Sequence, residues 1–462
     1  MPLNILDQYN PALVIDPERG KRFFRVLSIL LPVYFGLFYL GIINYQAILS
    51  LSVIALVYIF FRAYLWAFLI LVIPSLTLGQ FIYYEIKPGW IYNISLGEIF
   101  IILVLIIFFL DLYLNKKTAS LKLDLITLSL LGYLIFSLYS VTWAEDLRLF
   151  IAGTKITAYS FLAYFLAANL IDNKKKFELF MNGLAVTVFI LSLQTFYKLY
   201  QLGFSLDFFT NRSLITIPLG AIALSSAILS FILPLIFAYS LSLKQAKKYI
   251  FLAVFSLGVL AIILPMGKAA LLSLSLAMFI LFLRLKSNKK ILIYLFGFLA
   301  LFLAVFFSQY LMGLFERIAS VFTDSNSKFR IFEFRVDWKI IKDYFWTGVG
   351  SGQQPIFYRR LIHPEYGEFV NNFFVQGLID LGIFGGIIII SLIRFITLKV
   401  KRMFSLVLEK DYFLLSGLVA GLAAAFINGL VEVTFFALPY AVIFWTILGS
   451  FNFLNQDYAI DD

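Results

Sequence analysis

The 462-residue sequence has no cysteine, a single histidine, His363, and charge on only 14% of its residues. Without cysteine there can be neither disulfides nor thiolate metal sites, and the redox state around its loops leaves no trace. With one histidine, imidazole-rich metal centres lack ligands, and no metal or other cofactor is expected. So little charge excludes an ordinary soluble domain, in which about a quarter of residues are charged. What is present instead is apolar: 62% of the chain is hydrophobic, at a mean hydropathy of +0.95. The excess of 37 Lys and Arg over 26 Asp and Glu would point to nucleic acid in a soluble protein. In a membrane protein it first reflects the basic loops that orient membrane helices, so no nucleic-acid partner is expected.

Apolar runs fall at about residues 24–43, 45–61, 63–84, 94–113, 123–142, 149–171, 178–200, 218–241, 249–264, 268–284, 291–308, 373–397, 412–430 and 433–452. A spanning helix takes roughly 20 residues, which gives about 14 candidate spans. The runs are longer than the roughly 10 residues of an outer-membrane strand and show little alternation, which argues against a β-barrel. The expectation is an all-α polytopic membrane protein forming one integral membrane domain over residues 1–462, with one large extracytoplasmic loop containing amphipathic helices. The polar stretch Met1–Gly20 lacks the features of a signal peptide and is expected in the cytosol. Every second connection is then basic, carrying Arg62, Lys116 and Lys117, Lys174–Lys176, Lys247 and Lys248, Lys289 and Lys290, and Lys401 and Arg402. Both termini come out cytoplasmic.

One outward connection, about residues 309–372, departs from this rule, because it holds Arg317, Arg330, Arg335, Lys339, Lys342, Arg359 and Arg360 on the side that should be depleted of them. With Lys328 added, these basic residues are nearly balanced by Glu316, Asp324, Glu333, Asp337, Asp343, Glu365 and Glu368. Within the loop Ile331, Phe334, Trp338, Ile341 and Phe345 recur at helical spacing. Arg335, Lys339 and Lys342 form a basic stripe, and Arg330, Glu333 and Asp337 line a further face. The pattern predicts an amphipathic helix at the membrane surface. Gly348-Val349-Gly350-Ser351-Gly352 ends it in a turn, a weak match to a phosphate-binding nest. Outward aromatics such as Tyr83, Tyr84, Trp90, Tyr92, Trp346, Tyr358 and Tyr366 fit an interfacial belt or, alternatively, stacking on sugars.

After the loop, Asn371-Asn372 leads into an aromatic and aliphatic helix with Asp380-Leu381-Gly382-Ile383-Phe384-Gly385 downstream. This resembles the signature of the O-antigen ligase and O-antigen polymerase superfamily. Upstream, Arg330-Ile331-Phe332-Glu333-Phe334, Asp343 and Gly348-Val349-Gly350 are similar to the family's Arg-x-x-x-Trp, acidic and Gly-Val-Gly run. Trp143-Ala144-Glu145-Asp146 and Met266-Gly267-Lys268-Ala269-Ala270-Leu271 resemble two further family turns. The resemblance covers roughly residues 130–450. Two departures stand out: Lys268 where the family usually has arginine, and Asn371 where it usually has histidine before the asparagine. Lysine keeps the charge but loses the bidentate fork. Asparagine cannot accept a proton near neutral pH.

The resemblance implies a metal-independent, inverting glycosyltransferase of the bacterial cytoplasmic (inner) membrane. Its donor would be an undecaprenyl-pyrophosphate-linked oligosaccharide or polysaccharide, its acceptor a glycan or lipid, and its surroundings membrane lipids. On this reading Lys268, Arg330 and Arg335 bind the pyrophosphate, and Asn372 orients the acceptor. The 309–372 loop forms part of the active site. Catalysis falls to Asn371 together with His363, Glu365 or Glu368, one of which would supply the missing base; alternatively, catalysis relies on electrostatics and positioning. A polymerase that lengthens a surface polysaccharide is favoured slightly, because the histidine of the ligase pattern is absent. A ligase that moves the finished chain to lipid A core or another acceptor is the alternative. A lipid flippase or transporter is the second alternative, with Glu98, Lys155 and Arg394 as its few ionisable groups within spans.

Overall fold

The computed structural model of the protein describes residues 65–78, 83–85, 93–115, 121–202, 216–265, 267–284, 293, 297, 325–362, 371–407 and 409–454. The chain runs α1 (Leu65–Thr77), β1 (Tyr83–Glu85), β2 (Asn93–Ser95), α2 (Leu96–Asn115), α3 (Leu125–Tyr139), α4 (Leu147–Leu170) and α5 (Lys174–Gln201). It continues with β3 (Thr216–Ile217), β4 (Gly220–Ala221), α6 (Ile222–Ser242), α7 (Gln245–Ile263) and α8 (Lys268–Arg284). Beyond these come α9 (Ser325–Asp343), α10 (Gln354–Leu361), α11 (Phe373–Leu406), α12 (Glu409–Val431) and α13 (Leu438–Ser450). The strands form two small antiparallel hairpins, β1 with β2 and β3 with β4. Among the described residues, eight helices are long and apolar enough to cross a membrane: α2 to α7, α11 and α12. The protein is therefore an all-α polytopic membrane protein.

Nearly every side chain of α6 from Ser225 to Ser240 is buried, because α6 packs against α5, α7, α8 and α12. A second seam joins α4 to α13. A helix surrounded by helices has no water for its hydroxyls, so they bond back to their own backbone. Ser230 donates to Ala227 O, Ser240 to Phe237 O and Thr195 to Leu191 O.

The ends of the bundle differ. At one, Lys399 Nζ and Asp124 meet around the Tyr164 hydroxyl, Lys174 pairs with Asp411 at 3.0 Å, and the Arg284 guanidinium lies 4.8 Å from the Phe404 ring centre. These are connections that the alternation of basic loops assigns to a common side, and the fold brings them together. The opposite end carries Ser140–Asp146, α9, α10, the start of α11 and the last turn of α12.

Two expectations need adjustment, and three others lie outside the described residues. The expected spans at 24–43 and 45–61 lie outside the described residues, as does nearly all of 291–308. The run at 63–84 is not one helix: Pro74 lies in the last turn of α1, which ends at Thr77, and Tyr83–Glu85 pair with Asn93–Ser95 as strands. The run beginning at Phe373 is broken, since Gly382 takes φ 60° and ψ −146°. The two arms of α11 fold against each other. Gly377 faces Gly385 and Ile389, and a Cβ on Gly386 would stand 2.6 Å from the Leu378 side chain.

Candidate functional site

The break in α11 is held by the glycine-rich segment after α9. Val349 N–H donates to Ile379 O, Gly350 N–H to Asp380 O, and Ile383 N–H to Phe345 O. Ser351 N–H donates to Ser140 Oγ, and Gly352 N–H to Asp380 Oδ1 at 3.3 Å. Gln353 exchanges two hydrogen bonds with the Asp146 backbone, each 2.8 Å. The amides a phosphate would need are thus already committed, so Gly348–Gly352 is a strap and not an anion nest. Its glycines are required: Gly348, Gly350 and Gly352 all have positive φ, and a Cβ on Gly352 would collide with Leu149 O on α4.

The strap positions α9. Its apolar stripe faces outward, with Ile331, Phe334 and Trp338 each more than half exposed. Lys342 Nζ sits 5.7 Å from the Trp338 ring centre. Arg335 is exposed on this side. Ile340 and Ile341 instead pack with Val349, Tyr358 and Ile379, so Ile341 leaves the outward stripe. Tyr358 is fully buried, and its hydroxyl donates to Asp337 Oδ1. It is therefore not the outward tyrosine that the sequence offers for sugar stacking.

The third face of α9 turns inward. Arg330 Nη1 donates to Val431 O and Nη2 to Glu432 Oε1 at 2.6 Å, which places a cation on the negative end of α12. Asn371 Nδ2 donates to Glu333 Oε2 at 3.0 Å. Asn372 caps the first arm of α11 through Phe374 N–H and Val375 N–H, and its Nδ2 reaches Leu430 O at 3.1 Å. Glu333 and Asp337 are each 3% exposed. Burial pushes the Asp337 carboxyl up to about 7, and neighbouring Glu333 adds to the rise, while the Tyr358 and Gln354 hydrogen bonds oppose it.

Lys268 belongs to the same end. Asn428 Nδ2 donates at 2.7 Å both to Ser230 on α6 and to Ser273 on α8, which fixes the level of α8 against α12. From that contact Lys268 lies roughly 7 Å and Val431 roughly 5 Å further along their axes, at 1.5 Å per residue. Lys268, Arg330, Asn371 and Asn372 thus share one end of the bundle, with Arg335 on the outer face of α9. His363, Glu365 and Glu368 lie outside the described residues. Sequence reasoning missed Glu432 altogether and read Glu333 and Asp337 only as a helix face. The i, i+3, i+7 spacing of Arg330, Glu333 and Asp337 was the available signal for the last two. Of the charges within spans, Glu98 and Lys155 pair at 2.5 Å, which gives both a structural reason.

Taken together these features define a multi-pass helical membrane protein whose loop-bearing end gathers cationic, carboxylate and amide side chains beside a broken helix. Residues 253–390 match the family model described as O-antigen ligase, a stretch that includes Lys268, α9, the strap and the first arm of α11. The resemblance read from the sequence holds over that segment. No curated protein matches the chain.

Proposed function

We propose that the protein is a membrane glycosyltransferase that moves a glycan from an undecaprenyl-pyrophosphate carrier to an acceptor hydroxyl, polymerising a surface polysaccharide. The single observation that supports this most is the placement of Lys268 and Arg330 at one end of the bundle, within the segment that matches the O-antigen ligase family. When the anomeric carbon is attacked, negative charge grows on the departing pyrophosphate, and fixed cations lower the barrier most where that charge develops. Arg330 is held by Val431 and Glu432 through two of its five N–H groups, which leaves donors for a pyrophosphate. Lys268 adds a point charge, and the exposed Arg335 meets the headgroup from outside. Asn372 orients the acceptor, and the 309–372 loop contributes part of the active site. Attack opposite the leaving group inverts the anomeric centre and needs no metal.

The test is to incubate the purified protein in lipid with polyprenyl-diphosphate-linked repeat units, and to resolve the products by size. A ladder of lengthening chains is expected. A single transfer onto an added lipid acceptor would make it a ligase, and passage of the carrier across the bilayer without a new glycosidic bond would make it a transporter.

A further inference from the structure

We propose that Glu333, held by Asn371 and backed by Asp337, accepts the proton of the acceptor hydroxyl. The inference rests on the glycosyl-transfer reading above and names the group which that reading leaves open. Asn371 stands where the family's histidine is expected, and an amide cannot take a proton. The structure places a carboxylate directly behind that amide, with Glu333 Oε2 3.0 Å from Asn371 Nδ2. Glu333 lies one helical turn from Arg330, whose guanidinium would face the leaving group, and one turn from Asp337.

In the step, the acceptor oxygen bonds to the anomeric carbon as the bond from that carbon to the diphosphate oxygen breaks. The electron pair leaves with the diphosphate, and the hydroxyl proton passes to Glu333. Among the described residues, Tyr358 and Gln354 from α10 meet Asp337 and Asn371 before α11 meets Glu333, while Arg330, one turn away on the same helix, is paired with Glu432 after α12. Because burial pushes the Asp337 carboxyl up to about 7, Asp337 loses its charge as pH falls through that value, Glu333 loses the neighbouring negative charge that strengthens it as a base, and transfer slows there.

The experiment measures initial rates against pH for wild type, Glu333→Gln and Asp337→Asn in lipid, with polyprenyl-diphosphate-linked repeat units as the probe. Expected are a loss of at least about 100-fold in kcat for Glu333→Gln with KM within about threefold, and an acidic limb for Asp337→Asn displaced to lower pH. A Glu333→Gln rate within about threefold of wild type overturns the proposal. Should that variant not fold, the isosteric Asp337→Asn decides, and an acidic limb at the wild-type position overturns it equally. If wild type itself forms no glycosidic bond, the glycosyl-transfer reading fails, and that result is distinct from loss in the variants alone.

Discussion

Arg330 and Glu432 lie 102 residues apart in the chain and form an ion pair of 2.6 Å. The pair fastens the first part of α9 to the end of α12, and Arg330 also accounts for the Val431 carbonyl, which a helix C-terminus leaves without an intrahelical partner. A single guanidinium therefore has two candidate employments, one in holding the fold and one in holding a substrate.

Paired variants separate them. Arg330 and Glu432 side chains are 37% and 26% exposed, and ion pairs at such positions contribute about 1 kcal/mol or less. Glu432→Gln should thus shift melting in detergent by only a few degrees and leave long glycans in cells. Arg330→Ala at equal protein level should abolish them. Equal loss of glycan from both variants would assign Arg330 to architecture.

Lys268 gives a second prediction, because its family counterpart is arginine. If the side chain grips a pyrophosphate, Lys268→Arg should preserve or raise transfer, since a guanidinium offers two parallel donors where the ammonium offers a point charge. Lys268→Ala should lengthen no chains, and Lys268→Gln should behave like alanine. Initial rates with lipid-linked repeat units decide, and an active Lys268→Gln would remove charge from the argument.

Much of this was legible in the sequence, and particular residues explain where it stopped. The runs that became α2 to α7 could be read because apolar length alone defines a span. A separate polar face of α9 could be read because Arg330, Glu333 and Asp337 keep helical spacing, but not that it turns inward. The fold-back of α11 could not, since Phe373–Leu406 is apolar enough to read as a single span and its break depends on Gly382 meeting Trp346 and Gly348 from a distant segment. The 63–84 run misled for a related reason, as hydropathy does not register a strand pairing across Tyr84 and Ile94. Glu432 was invisible because its partner is set only by tertiary contact.

The strap yields a third prediction. Gly382 has φ 60° and ψ −146°, a region essentially reserved for glycine, where other residues cost of order 1–3 kcal/mol. A Cβ there would also stand 2.6 Å from the Trp346 carbonyl, in backbone that cannot swing aside. Gly382→Ala should therefore lower both folding yield and glycan synthesis. By contrast a Cβ on Gly132 meets nothing within 4 Å, so Gly132→Ala should behave as wild type. Comparable yields for the two variants would show that the break in α11 does not depend on Gly382.

The last prediction concerns stability and pH, and its sign follows from Asp337. Its carboxyl is raised from 3.8 to about 7 by burial, so the folded protein binds its proton more tightly than the unfolded chain. Such a group favours the fold at low pH. Its contribution falls as pH rises from about 4, and the full cost is reached above about pH 7. At about 1.4 kcal/mol per pH unit the cost amounts to a few kcal/mol at most. The melting temperature of the purified protein should therefore climb as pH is lowered from 8 to 5, and the comparison with Asp337→Asn isolates the share of this carboxyl. Asparagine keeps the size and can still accept the Tyr358 hydroxyl hydrogen bond, but it carries no proton to lose. Asp337→Asn should be more stable than wild type at pH 8, and the difference should shrink towards pH 5. A difference between the two proteins that stays constant over this range would mean that Asp337 is not the buried, proton-holding group its surroundings make it.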